Sequence, residues 1–451
     1  MHTWDDATDL LAHSVFGYVV ERVRIDKDPH WGAKPAAELA KALEGAIAPA
    51  GIGGHQALGL FRDVLLPACR PMEHPLNLAY VATAPSHASM LFDLVVSASS
   101  IFGGLWECGA GAIAAENQTL AWLAELAGFP QEAAGVFVSG GSAANLSALV
   151  AARHVARSSR PDVTRWRFAT TRETHASVHA AARVMDVDIV TVEPDERGRM
   201  MGAALTAAID QDGDDGLFAV VANAGTTNTG AIDELDAIAD ICERLELWLH
   251  IDGAYGGATL CAPSMKQALR GFERADSFGI DPHKWLFAPY DSAALVYRDP
   301  QLAAEAHAQH GDYLDAVDRS ESNPSDLAFH LSRRARGLPL WFSLATHGTD
   351  AYADAVERTL STAQAFARHI DDRPGFTLLL EPQMSVVLFE VDGWERACYE
   401  AWTASRAHEG IGLIVPTTWQ GRLCYRICLV NPLTTIEMLE GLADDMAMFD
   451  C

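Results

Sequence analysis

Between residues 75 and 300, short apolar runs alternate with helical patterns, and this alternation constrains the fold more than any other feature of the chain. "GVFVSG" runs into "SAANLSALVAARHVAR", "DIVTVEP" into "GAALTAAIDQ", and "LFAVVANAG" into "DELDAIADICERL". "LWLHIDG", "SFGID" and "AALVYRD" follow. Strands that are apolar throughout are buried on both faces. With helices between them they predict a mostly parallel sheet covered on each side. Ligands of such sheets bind at the carboxyl ends of the strands.

The chain has 451 residues, which suits two or three packed units. Residues 1–74 read as an N-terminal helical segment. "DDATDLLAHSVFGYVVERV" is amphipathic, and "KPAAELAKALEGAI" opens with Pro near its start. Residues 75–344 form the large α/β unit. Residues 345–451 read as a smaller α+β unit, with helix "AYADAVERTLSTAQAFARHI", strands "FTLLLE", "SVVLFEV" and "LCYRICLVN", helix "ERACYEAWTASRAH" and a final helix. The stretch "HAQHGDYLDAVDRSESNPSD" is long, polar and weakly periodic, so it predicts a mobile or gating loop.

A formal charge of −27 disfavours nucleic acid and anionic membrane as partners. No apolar run is long enough to predict a spanning helix. The acidic start "MHTWDDATDL" is unlike a secretory signal. Eight cysteines without C-x-x-C spacing read as reduced thiols in a cytoplasm, and no metal-site spacing occurs.

Four strand ends and one pentapeptide carry the candidate chemistry. Gly140, Gly141 and Ser142 lie where a strand turns into a helix, whose free N–H groups suit an anion or an ordinary cap. Asp252 follows the apolar run "LWLHI", as a partner for a protonated ring nitrogen or as a helix cap. Thr226 and Thr227 in "NAGTTNTGAID" suit a ligand or their own loop backbone. His175 in "ETHASVHAAARV" is a flat group able to stack on a flat cofactor, or a structural histidine. Lys284, in "DPHKW", lies in apolar sequence. It is either a stem lying over Trp285 or a desolvated amine with depressed pKa, able to form an imine with an aldehyde. Together, an anion cradle, a carboxylate, an imidazole and a buried lysine suit pyridoxal 5'-phosphate.

These stretches resemble the group II pyridoxal-phosphate-dependent amino-acid decarboxylases, the aromatic-L-amino-acid and glutamate decarboxylase-like family. "HPLNLAYVATAPSHASMLFDLV", "WECGAGAIAAENQTLAWLAELAG", "GGSAANLSALVAARH", "THASVH", "NAGTTNTGAID", "LHIDGAYGG", "DPHKW" and "RRARGLPLWF" carry the likeness across nearly the whole chain. Asp252 and Lys284 are 32 residues apart. The resemblance implies the fold-type I aminotransferase-like architecture and a homodimer with active sites at the interface, the N-terminal helices packing on the partner. It implies an imine at Lys284, pairing of Asp252 with the ring nitrogen, and stacking by His175. Gly141, Ser142 and His283 would lie near the phosphate and Thr227 beside the ring. Tyr80, Val81 and Thr83 would line the substrate pocket, and Arg426 would lie near the substrate carboxylate. The family's loop tyrosine falls close to Pro324, where no tyrosine stands; Tyr313 is the nearest upstream, and Tyr313, His175 or the freed Lys284 amine is the candidate proton donor. Asp281 stands where the aromatic-amino-acid members carry Asn, and it is left out of the phosphate set. The implied activity is L-amino-acid decarboxylation. Decarboxylation-coupled oxidative deamination (aldehyde synthesis) or C–S β-elimination is the alternative, ahead of transamination.

Overall fold

The computed structural model describes residues 2–24, 30–309 and 321–451. Seven strands form the large sheet: β1 (Ala134–Val138), β2 (Arg167–Thr171), β3 (Asp188–Val192), β4 (Leu217–Asn223), β5 (Trp248–Asp252), β6 (Ser277–Ile280) and β7 (Ala293–Tyr297). Their order is β1-β7-β6-β5-β4-β2-β3. All neighbours are parallel except β7, which runs against both β1 and β6. The expected mostly parallel α/β sheet is therefore present.

Burial explains the strand pattern. Every residue of β4 is buried. Its Val220 and Ala222 join one core with Leu249, Ile251, Phe278 and Ile280. Its Ala219 and Val221 join another with Val138, Phe168 and Leu295. Side chains two apart share a face, so an apolar run throughout serves both helical layers. Strand β2 was not among the expected strands, because "RFATT" opens on a charge and is short. Its signal is the β-branched pair at its end.

The register matters more than the order. Asn223 pairs with Asp252, and Asp252 with Gly279, so three strands end side by side. The chain leaves β2 at Thr171 and reaches His175 four residues later, at the start of helix Ala176–Met185.

A second, antiparallel sheet contains β8 (Phe376–Leu380), β9 (Val386–Val391), β10 (Val415–Trp419) and β11 (Arg422–Cys428), ordered β10-β11-β9-β8. It packs on helices Thr349–Asp371, Arg396–His408 and Ile436–Met448 around Phe366, Phe389, Trp402, Tyr425 and Leu439. Leu78 joins this core, and its backbone bonds Leu413 and Cys428. Helices Asp6–Arg24, Ala36–Ala42 and Gly54–Leu60 bury no residue fully. No described helix is long and apolar enough to cross a membrane.

One expectation needs correction. Cys398 and Cys451 form a disulfide, with Cα atoms 5.5 Å apart, so the eight cysteines are not all reduced. The last helix carries the C-terminus back onto helix Arg396–His408. Asp445 accepts hydrogen bonds there from Trp402 Nε1 at 2.7 Å and Arg406 Nε at 2.6 Å.

The expected gating loop falls largely on residues 310–320, outside the described residues, and Tyr313 with it. Its later part packs against the large unit. Asn323 and Ser325 are buried, and Asn323 Oδ1 accepts the Trp106 N–H at 2.7 Å. Pro324, the place of the family's tyrosine, is buried beside them.

Candidate active site

Lys284 sits on a short helical turn, Pro282–Trp285, directly after β6. Trp285 is fully buried. It stacks on Tyr255 at 5.2 Å and donates to Thr359 Oγ1 at 2.9 Å. The indole therefore anchors the turn from beneath, and the amine turns toward a cavity of about 270 Å³. A lysine stem lying over a surface Trp is ruled out.

The cavity lies at the carboxyl ends of β1, β4, β5 and β6. All seven expected cofactor-binding residues line it: Gly141, Ser142, His175, Thr227, Asp252, His283 and Lys284. Helix Gly141–Ser159 points its N-terminus there. The N–H groups of Ala143 and Ala144 bond Gly140 O, so those of Gly141 and Ser142 precede the helical ladder. A Cβ on Gly141 would lie 3.0 Å from Ala254 Cβ and 3.3 Å from both Asp281 carboxylate oxygens. A larger residue would have to push these neighbours back by a few tenths of an ångström.

Asp252 is buried and held at both oxygens. Asn145 Nδ2 donates to Oδ2 at 2.8 Å and the Ala254 N–H to Oδ1 at 3.1 Å. His175 caps helix Ala176–Met185, and its Nδ1 accepts the Ser177 N–H at 3.2 Å. An N–H that can only donate makes Nδ1 an acceptor, so the neutral ring carries its proton on Nε2. His283 follows the same logic: Nδ1 accepts the Ser292 N–H at 3.1 Å, and burial lowers its pKa.

The lysine is not the depressed amine expected from its apolar surroundings. Burial pushes its pKa down, but Asp281, by charge and hydrogen bond, and Asp252 beyond it raise the net value. Asp281 Oδ2 is 2.9 Å from Nζ and 3.7 Å from His283 Nε2. Its Oδ1 is buried with no hydrogen-bond partner among the described residues. In Asp281→Asn the main raising charge is gone and burial still lowers the value. The neutral amine then predominates from a lower pH. Labelling of Lys284 in cofactor-free protein at pH 8 by an amine-reactive reagent should rise, about tenfold for every pH unit by which the substitution lowers the amine's pKa. Equal labelling of variant and wild type would show that Asp281 does not control the amine.

None of the four substrate-pocket candidates lines this cavity: Tyr80 is 61% exposed, and Val81, Thr83 and Arg426 are buried. Thr83 Oγ1 points at Ala288 O, 3.5 Å away. Arg426, on β11, donates from Nη1 to Tyr80 O and from Nε to Thr227 O at 2.9 Å. It ties the loop at Tyr80 to the loop at Thr227. Thr226 serves its own loop, bonding Thr229 Oγ1 at 2.8 Å and accepting the Ala231 N–H at 3.1 Å. That loop is clamped by Asp233, whose carboxylate accepts the N–H groups of Met200 and Asn223, each at 2.6 Å. Burial pushes its pKa up to about 7.

Sequence reasoning passed over Asn145, Ser177, Asn223 and Tyr255, which also line the cavity. Asn145 had a signal. It shares the buried stripe of its helix with Gly141, Ala144, Ala148 and Ala152, and a lone amide among small residues needs a partner.

Pyridoxal phosphate fits these groups. The helix N-terminus with Ser142 suits its phosphate, Asp252 its ring nitrogen, His175 its ring face and Lys284 its aldehyde. Sheet and site together define a pyridoxal-phosphate enzyme of fold type I. Residues 54–392 match the model of the pyridoxal-dependent decarboxylase conserved domain, and the chain belongs to that family. It is 31% identical to the aromatic-L-amino-acid decarboxylase of Bacillus atrophaeus, over 93% of this chain and 92% of that one. It is 30% identical to the L-2,4-diaminobutyrate decarboxylase of Rhizobium meliloti (strain 1021), over 82% and 77%. Among solved structures, Oryza sativa TDC with PLP and tryptamine superposes with a TM-score of 0.91 at 21% identity, covering 99% of this chain and 98% of that one.

Proposed function

We propose that this enzyme decarboxylates an L-amino acid, with Lys284, Asp252 and His175 as its catalytic residues. One observation carries the reading: these three side chains, from three separate strand ends, line a single cavity with an open helix N-terminus. Pyridoxal phosphate, when bound, supplies a sink for the electron pair left as carbon dioxide departs. The protein does the rest. Gly141 and Ser142 N–H groups bind the phosphate with His283 beside them. Asp252 keeps the ring nitrogen protonated. His175 fixes the ring plane and presents Nε2–H to the substrate side, beside Thr227. Tyr80, with its carbonyl held by Arg426, would meet the substrate outside the cavity that takes the cofactor. Val81 and Thr83 would set the position of Tyr80 from the core behind it. Orienting the Cα–carboxylate bond is what selects decarboxylation over other cleavages.

We further propose a homodimer, with residues 1–74 as an arm on the partner subunit, 75–344 as the cofactor-binding unit and 345–451 as the small unit. Apolar side chains left exposed support it: Leu10 and Phe16 on the first helix, and Leu91, Leu94 and Val95 on helix His87–Ser99. Sedimentation equilibrium reads the dimer directly. Six free cysteines support a cytoplasmic location, with the Cys398–Cys451 bond standing against it.

The test is product identification by mass spectrometry after incubating holoenzyme with single amino acids, aromatic ones first and 2,4-diaminobutyrate next, as the relatives' names suggest. Amine with carbon dioxide is expected. Aldehyde with peroxide, or thiol with pyruvate, would replace decarboxylation by oxidative deamination or β-elimination. Tyr313→Phe in the same assay tests the proton donor: a fall in amine with a rise in aldehyde assigns Tyr313 to that step, and an unchanged ratio removes it.

A further inference from the structure

We infer that His250 and Asn145 are positioning residues for the cofactor site, the central members of a buried hydrogen-bonded chain that sets Asp252 and His175 together. The inference rests on the reading of Asp252 and His175 given above.

The chain starts at Trp248, the first residue of β5, and follows that strand to its end at Asp252. Trp248 Nε1 donates to Ser277 Oγ at 2.8 Å, and Ser277 Oγ is 2.9 Å from His250 Nδ1. His250 Nε2 is 2.9 Å from Asn145 Oδ1. Asn145 Nδ2 then divides, to Asp252 Oδ2 at 2.8 Å and to Ser177 Oγ at 3.1 Å. Ser177 Oγ lies 2.8 Å from His175 Nδ1.

Elementary donor rules orient every link. The Asp252 carboxylate only accepts, so Asn145 turns its NH₂ toward Asp252 and Ser177 and its carbonyl toward His250 Nε2, which donates. The neutral His250 ring then accepts at Nδ1 from the Ser277 hydroxyl, whose oxygen accepts the Trp248 indole N–H. Ser177 accepts and passes its proton to His175 Nδ1, which also accepts the Ser177 N–H. The Ser177 N–H fixes this tautomer of His175, and the Ser177 hydroxyl donates to the same nitrogen in keeping with it. His250, Ser277 and Asn145 are at most 1% exposed, so water does not substitute for the links among them. Burial lowers the His250 pKa to about 4, which keeps the ring neutral and the order of donors intact. Gly279, opposite Asp252 on β6, makes room: a Cβ there would come within 3.2 Å of Ala144 Cβ and 4.0 Å of Asn145 Oδ1.

The consequence is coupling. One amide holds both the Asp252 carboxylate that would pair with the ring nitrogen and, through Ser177, the His175 imidazole that would stack on the ring. His250 itself does not line the cavity.

The test uses His250→Phe, His250→Gln, Asn145→Ala and Ser177→Ala. The dissociation constant for pyridoxal phosphate is titrated by absorbance, and kcat and KM are measured on the holoenzyme. His250→Phe and Asn145→Ala are expected to weaken cofactor binding about tenfold, the worth of one buried hydrogen bond, and to lower kcat with KM nearly unchanged. His250→Gln, which offers an amide N–H to Asn145 Oδ1, should recover most of the loss. A filler of space would not distinguish Gln from Phe. Ser177→Ala cuts only the His175 branch, so it should lower kcat while leaving cofactor binding intact. It remains readable if a buried variant fails to fold. Combined with Asn145→Ala it should cost less in kcat than the two separate effects added. Wild-type cofactor affinity in both His250→Phe and Asn145→Ala, equal impairment of Phe and Gln, or strict additivity would overturn the chain. The cofactor titration needs no substrate, so a wild type without decarboxylase activity would overturn the functional reading alone.

Discussion

Replacing Lys284 by alanine is expected to lower kcat by at least about a thousandfold, within the range that a positioned acid–base or nucleophilic group supplies. Borohydride should fix the cofactor of the wild-type protein on the peptide carrying Lys284 and on no other; the variant should take up no label. The structure adds a second effect. Asp281 is 3% exposed and has the Nζ of Lys284 at 2.9 Å. Removing the lysine strands a buried carboxylate, which costs on the order of 3–5 kcal/mol. Cofactor-free Lys284→Ala should therefore melt below cofactor-free wild type, and Lys284→Ala/Asp281→Asn should recover part of that loss. Label on a different lysine, or turnover near wild type, would remove Lys284 from the chemistry.

Asp252→Asn should keep the cofactor but lower kcat by about a hundred- to a thousandfold, the scale on which one preorganised electrostatic group acts. An amide does not hold a ring nitrogen protonated, so the electron sink weakens. Geometry sharpens the expectation. Both oxygens of Asp252 accept: Oδ2 from Asn145 Nδ2 at 2.8 Å and Oδ1 from the Ala254 N–H at 3.1 Å. An asparagine there sets its own NH₂ against one of these donors, so the side chain turns or a donor is lost. The check is kcat with the pH-dependent absorbance of bound cofactor: the variant's visible band should respond to pH where that of wild type does not. Near-normal turnover would take Asp252 out of the role.

Much of this was legible in the sequence. Continuous apolar runs between helical patterns specify a buried, mostly parallel sheet, because strands covered on both faces have no polar side to show. The seven residues assigned to the cofactor all line one cavity, because small, acidic and hydroxyl residues at strand ends are where an apolar pattern stops for a reason other than packing. Tyr80 and Arg426 were named from the resemblance, not from pattern, and neither lines the cavity. Val81 and Thr83 share that stretch with Tyr80, yet they turn inward to the core.

What the tertiary structure decided was pairing. Apolar sequence around Lys284 argued for an amine with a lowered pKa. Asp281, three residues earlier, is turned onto it by a single helical turn, and that contact reverses the sign. Cys398 and Cys451, remote in sequence, meet because the last helix doubles back on helix Arg396–His408. Asn145, His250 and Ser277 come from three different elements and form one chain only because the register of β5 and β6 and the packing of helix Gly141–Ser159 place them together. Sequence by itself determined which residue types stand at each strand end, since burial and backbone geometry act locally. Which of them face one another, and so which protons and charges are held, depends on side-chain distances that only the packed sheet and helices create.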